Sequence, residues 1–284
     1  MPLPSFARSL WQVVETIHAV SYFAPQSRTA AEGLGVKGFW RMYFGFRAAP
    51  LGPCTAAVVE ASFFGFAPAM VARAVPQVWQ LADPAAYLTA RADAAAEALR
   101  GTAPAVEQLA DDAWVGAQLD LAAQPCAGRV LFTANRDLPR PADPVAALWQ
   151  ACTTLREHRG DGHNAAWVAE GLAPVEVLAL VDACGAIGRA SVQPNRGWTD
   201  AQWDAARDRL RERGLLMADT VTEQGLAVRA EVERRTDALA QAPYAALGPA
   251  DRARLLERLR VTALQVQASG VLPHPNPIGL APLD

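Results

Sequence analysis

The chain has 284 residues, 51% of them hydrophobic, and a formal net charge of −3. That length supports one large or two modest domains around a substantial core, and it excludes a small disulfide- or metal-stapled scaffold. The mild negative charge excludes a general attraction to phosphates, so a nucleic-acid reader would need a local basic patch.

Cap and breaker residues mark the elements in chain order. Residues 5–22 carry Phe6, Leu10, Val13, Val14 and Ile17 at helical spacing, which predicts one amphipathic helix. A short helix over 25–34 ends at Gly33 and Gly35. An aromatic helix over 37–47 follows, and Pro50 and Pro53 break the chain after it. Short helices are predicted over 54–64 and 67–74. Asp83-Pro84 reads as an N-cap with proline at the first helical position, opening a helix that closes at Arg100-Gly101. Helices over 104–122 and 128–135 precede a proline-rich linker, 135–142.

Asp143-Pro144 repeats the cap and proline, and predicts a helix to about Arg159. Gly160 and Gly162 predict a turn there, with short helices resuming over 163–170 and 174–184. Thr199 and Gln202 form a capping box, and Gly214 ends that helix. Residues 215–221 leave room for a minimal hairpin. Thr222 caps a helix to about Ala240, and Pro249 opens the last, to about Ala268. The proline-rich tail, 272–277, is expected to run extended and to clamp two halves together. The fold class expected is mainly α: a helical half over 1–140 packed on a second half over 141–284.

The sequence Arg207-Asp208-Arg209-Leu210-Arg211-Glu212-Arg213-Gly214-Leu215-Leu216, followed by Thr222-Glu223-Gln224-Gly225, resembles the recognition helix, wing and next helix of MarR-type winged-helix regulators. The chain is also similar, nearly end to end, to an uncharacterised actinobacterial helix-turn-helix-like family, through 17–25, 155–163 and 275–280. The resemblance implies a degenerate winged helix with a two-strand wing. The chemistry of a DNA reader is missing. The first turns of the 199–213 helix hold Asp200 and Asp204 where base-reading polar or basic side chains would stand. Trp198 and Trp203 there are expected to be buried. Residues 189–235 hold nine arginines against eight acids. Duplex DNA is therefore not expected as a partner.

Candidate chemistry concentrates in 155–163, where His158, Arg159, Asp161 and His163 crowd together. They suit an acid/base or anion-binding site, with His158, Asp161 and His163 as the catalytic candidates. The same residues also suit a capped helix junction. The histidines are five apart, which is not the i,i+4 spacing of a zinc helix, and the scattered Cys54, Cys126, Cys152 and Cys184 form no Cys-x-x-Cys pair. No metal and no cofactor are expected, since Gly-rich phosphate loops and serine elbows are also missing. His18 and Tyr22 share a helix face, and Arg41, Tyr43 and Arg47 lie on the aromatic helix. With Arg159 they are the ligand-binding candidates, lining a pocket between the halves for an apolar or aromatic molecule with or without an anionic group. Binding of such a small molecule is the first functional expectation. A cofactor-free enzyme using His/Asp proton transfer is the second, and a DNA-binding regulator the third. No apolar run approaches the ~18 residues of a membrane span, and Met1-Pro2-Leu3-Pro4 lacks the features of an export signal. The expected location is cytoplasmic.

Overall fold

The computed structural model describes residues 5–121 and 123–283. Met1 to Pro4, on which the export-signal reading rests, and Ala122, at the end of one expected helix, lie outside the described residues. The chain is mainly helical, and among the described residues the only strands form one two-stranded hairpin.

The first half is a succession of helices: α1 (Phe6–His18), α2 (Val20–Phe23), α3 (Pro25–Gly33), α4 (Phe39–Ala48), α5 (Ala56–Phe63), α6 (Pro68–Ala72), α7 (Val78–Leu81), α8 (Pro84–Thr102), α9 (Val106–Ala110), α10 (Ala113–Gln118) and α11 (Val130–Arg136). Side-chain caps start several of them. Ser5 accepts from the Arg8 amide at 3.2 Å, and Asp83 from the Ala86 amide at 2.7 Å. Two expected helices are divided. Residues 5–22 break at Ala19 into α1 and α2. Residues 104–122 become α9 and α10, because the Asp112 carboxylate caps a new start at Trp114 and Val115.

The largest departure is α12 (Pro144–Ala169), which runs unbroken through Gly160 and Gly162. Glycine costs a helix interior about 1 kcal/mol, and local reading turns that cost into a loop. Burial on both sides of α12 outweighs it. A Cβ on Gly162 would stand 3.2 Å from the Leu239 Cβ and 3.3 Å from the Arg129 guanidinium, so this glycine permits a close helix approach. The polar cluster therefore lies mid-helix, and its side chains radiate in different directions.

After α12 come α13 (Pro174–Ala183), α14 (Arg189–Val192) and α15 (Asp200–Glu212), the strands β1 (Leu216–Met217) and β2 (Thr220–Val221), then α16 (Glu223–Leu239) and α17 (Pro249–Ala268). The expected capping box opens α15, and Gly214 closes it at φ +70°. The antiparallel hairpin pairs Leu216 with Val221 and Met217 with Thr220. It sits directly on the start of α16, where a Cβ on Gly225 would come within 2.4 Å of the Leu215 carbonyl.

Two apolar clusters hold the fold. The larger joins the first half to the N-terminal part of α12, to α17 and to tail residues Leu272, Leu280 and Leu283. The smaller joins the end of α12 to α13, α15, the hairpin and Val232 of α16, around Trp167 and Trp203. Trp203 is fully buried, and half-buried Trp198 packs against both clusters. The tail does not run straight. It bends and turns, held by Asn276, whose side chain exchanges hydrogen bonds with the Leu280 backbone at 2.8 and 2.9 Å. No single described helix is long and apolar enough to cross a membrane.

Candidate functional site

Where the two clusters meet, α1, α4, α12, α13 and α16 leave a cleft of about 470 Å³. Its walls combine two chemistries. Trp11, Tyr43, Phe63, Phe66 and Trp167 supply aromatic surface, and Leu178, Val181 and Ile187 supply aliphatic surface. Six arginines, Arg8, Arg47, Arg156, Arg159, Arg196 and Arg229, supply charge. Arg47 lies 4.1 Å over the Phe63 ring, Arg159 4.8 Å over Trp11 and Arg196 4.7 Å over Phe66.

Buried acids organise most of these cations. Glu157, on α12, receives Arg47 at 3.0 and 3.1 Å and Arg156 at 2.9 Å. Burial works to raise the Glu157 carboxyl, but Arg156 and Arg47 overcome it and hold the group at about 2. Glu15 takes Arg156 at 3.1 Å. On the α16 side, Asp237 takes Arg8 at 3.0 Å and Arg159 at 2.8 Å, and Glu233 takes Arg8 at 3.0 Å and pairs with Arg229.

The residues singled out in the sequence divide between the cleft and the core. Tyr43, Arg47, Arg159 and His163 line the cleft. His18 and Tyr22 stand behind its wall. Tyr22 packs on Tyr43 with ring centroids 5.1 Å apart, and His18 is 3% exposed. The Thr153 hydroxyl donates to the Trp149 carbonyl, so it accepts from His18 Nδ1 at 2.9 Å, and the Tyr22 hydroxyl donates to His18 Nε2 at 2.8 Å. Burial, with Arg156 next, lowers the His18 imidazole well below its ordinary value. Arg41 is exposed and lies outside the cleft lining.

His158 and Asp161 turn away from the cleft, so the expected grouping of His158, Asp161 and His163 does not form. The continuous helix is the reason: residues two and five positions apart point in different directions. His158 packs edge-on against Phe132, and burial, then Arg129, lowers it to about 4. Asp161 accepts from the Phe132 amide at 2.9 Å, capping the start of α11 from another element, and burial raises it to about 6. His163 is saturated. Trp167 Nε1 donates to its Nε2 at 3.0 Å, so its Nδ1 donates to Thr236 at 2.9 Å, and the Thr236 hydroxyl passes on to the Val232 carbonyl. Burial lowers His163 to about 4, so it is neutral at pH 7. Among the described residues no group of three His, Cys, Asp or Glu side chains is placed to hold a metal.

A second surface surrounds α15. Its arginines are engaged. Arg189 pairs with Asp200 at 2.7 Å and Asp204 at 3.1 Å, Arg207 with Asp219 at 2.7 Å, and Arg211 with Asp208 at 2.5 Å and Asp219 at 3.1 Å. Arg209 pairs with Glu176, and Arg213 donates to the Glu170 and Gly171 carbonyls. The profile of a helix-turn-helix family matches residues 7–273. The chain belongs to this helix-turn-helix family. The match covers most of both clusters and all of the cleft lining except Ile278 and Gly279. No curated protein and no solved structure matches the chain.

Sequence reading missed Arg8, Trp11, Glu157, Arg196 and Arg229. Glu157 was within reach, because it stands inside the flagged 155–163 stretch. Phe63-Phe64-Gly65-Phe66, an aromatic run around a glycine, was a second usable signal. Arg8, Arg196 and Arg229 carry no local mark, since only the fold brings them to the cleft.

Proposed function

We propose that this protein binds a small organic molecule, aromatic or apolar and carrying an anionic group, in the cleft between its two hydrophobic clusters. The observation behind this reading is the meeting of aromatic side chains, most of them largely buried, with six arginines around one cleft, in a volume that suits a small ligand. Aromatic rings accept a flat body by stacking, and guanidinium groups accept an anion in bidentate fashion. The cleft touches both clusters, so a bound molecule would report its presence to the α13–α16 segment. Proton transfer by His158, Asp161 or His163 draws no support from this geometry, because His163 is saturated and the other two point elsewhere.

DNA-binding regulation is the second reading, favoured by membership of a helix-turn-helix family. Its difficulty is electrostatic. DNA affinity rests on free cations meeting phosphates, and of the arginines around α15 Arg189, Arg207, Arg209 and Arg211 are already paired with acids, while Arg213, bonded to carbonyls, keeps its charge. On this reading the α13–α16 segment is a degenerate winged helix with β1 and β2 as its wing.

A thermal-shift screen of aromatic and apolar acids, repeated on Leu178→Trp, tests the ligand reading. A bound molecule stabilises the native state by about 2.7 kcal/mol at a hundred times its Kd. Hits are expected for the natural chain, with loss of those hits in the variant, whose new indole fills the cleft. An empty screen, or hits that survive Leu178→Trp, would contradict the proposal.

A further inference from the structure

The cleft arginines are not equally satisfied. Around Tyr43 stand three cations, Arg47, Arg156 and Arg196, and two acids, Glu15 and Glu157. Arg47 and Arg156 take both acids. Among the described residues Arg196 has no carboxylate partner; its guanidinium donates only to the Asn195 carbonyl at 3.2 Å and the Pro277 carbonyl at 2.9 Å. Those two bonds use two of its five N–H donors. Its aliphatic stem runs past Gly65, where an added Cβ would stand 3.7 Å from Nε, and its charged end covers Phe66. Burial lowers the Arg196 guanidinium below its ordinary value, as expected of a cation short of a counter-charge.

A partly buried cation without a counter-ion is disfavoured, and a pocket anion relieves that cost. The other arginine group differs. Arg8, Arg159 and Arg229 each touch a carboxylate of Glu233 or Asp237. Both groups hold three cations and two acids, and Arg196 is the one of these six arginines that touches no carboxylate among the described residues.

We propose that Arg196 anchors a carboxylate of the ligand, and that the ligand is an amphipathic monocarboxylate whose apolar body lies between Phe66 and the Leu178–Val181–Ile187 wall. This rests on the ligand reading of the cleft and adds the charge and its position. The anchor also sits just before the start of α15. The Arg196 carbonyl accepts from the Ala67 amide at 2.8 Å, and Trp198 Nε1 donates to the Gly65 carbonyl at 3.0 Å, so the cleft loop is stitched to the start of α15.

Calorimetric titration of the full chain with 2-naphthoate and its neutral counterpart 2-naphthylmethanol tests the proposal. A charge-assisted pair is worth at least about tenfold, so the carboxylate should bind at least about tenfold tighter than the alcohol. In Arg196→Gln the two should bind within about twofold of each other, with the alcohol unchanged from the natural chain. Arg196→Lys, which keeps the charge and guards against a folding defect, should retain part of the preference. Arg41→Gln, at an exposed arginine outside the cleft lining, should leave the preference intact. Equal binding of acid and alcohol by the natural chain would overturn the subsite while leaving the cleft as a binding site. A preference that persists in Arg196→Gln would also overturn it. Failure of both probes to bind would overturn the subsite and the ligand reading together.

Discussion

Replacing Glu157 by glutamine removes one charge and almost no volume, and its cost can be worked from the structure in two ways. Glu157 is 1% exposed and receives Arg47 through both oxygens, with Arg156 beside it. Holding its carboxyl at about 2, against an ordinary 4.5, corresponds to about 3 kcal/mol of stability at neutral pH. Breaking a buried ion pair by removing one partner costs roughly 3–5 kcal/mol, because the other charge stays buried. Both routes place Glu157→Gln near 3 kcal/mol. The group's folded value is depressed, so its contribution is complete above pH 4.5 and disappears as pH falls toward 2. Urea unfolding followed by tryptophan fluorescence should show the full loss at pH 7 and a smaller one below pH 4.5. Adding Arg47→Met should recover part of the loss, since the stranded cation is then gone. A loss under about 1 kcal/mol at pH 7, or one that does not shrink in acid, would refute the assignment of Glu157 as the anchor of the cleft arginines.

Acid should weaken the fold before Glu157 titrates. Native His158 and His163 refuse protons until about pH 4, while the unfolded imidazoles take them below 6.5, so stability falls as pH drops from 6.5 to 4. Asp161 opposes this, because its native carboxyl takes a proton near pH 6 and the unfolded one near 3.8. With His18, whose buried imidazole is also held well below its ordinary value, three histidines outweigh one acid, and Tm should drop by at least about 5–10 °C from pH 7 to 4. Asp161→Asn should steepen that decline, and a flat profile in the variant would contradict the balance. Trp203→Ala should cost roughly 3–5 kcal/mol, read by urea midpoint, because the indole is fully buried in the smaller cluster. Electrophoretic shift assays with duplex DNA near physiological salt should show no complex at sub-micromolar protein; a salt-sensitive complex would favour the regulator reading instead.

Local chemistry made much of the second half legible. The Thr199 box, Gly214, the two-by-two hairpin, the Thr222 cap and the Pro249 start all depend on residues within a few positions of each other. The same locality misled at Gly160 and Gly162; the close neighbours of Gly162, Leu239 and Arg129, are far away in sequence. The candidate site shows the same limit. Tyr43, Arg47, Arg159 and His163 were found because each stands in an aromatic or polar run. Arg196 could not be found this way, since what distinguishes it is the carboxylate it does not meet after folding. Trp203 was legible as buried because an indole beside two acids on one helix has to face inward.

Two cleft-lining indoles offer the most direct test of ligand binding. Trp11, half-buried, and Trp167, buried in the smaller cluster, both border the cleft, whereas Trp203 and Trp149 lie outside its lining. Titration of the nitrogen-15-labelled chain with 2-naphthoate, followed through the indole N–H resonances, reads all of them at once. The account predicts saturable shifts for Trp11 and Trp167, with Trp149 and Trp203 unmoved. Shifts confined to other indoles, or none at concentrations where binding is measured by heat, would contradict the assignment of the cleft as the binding site.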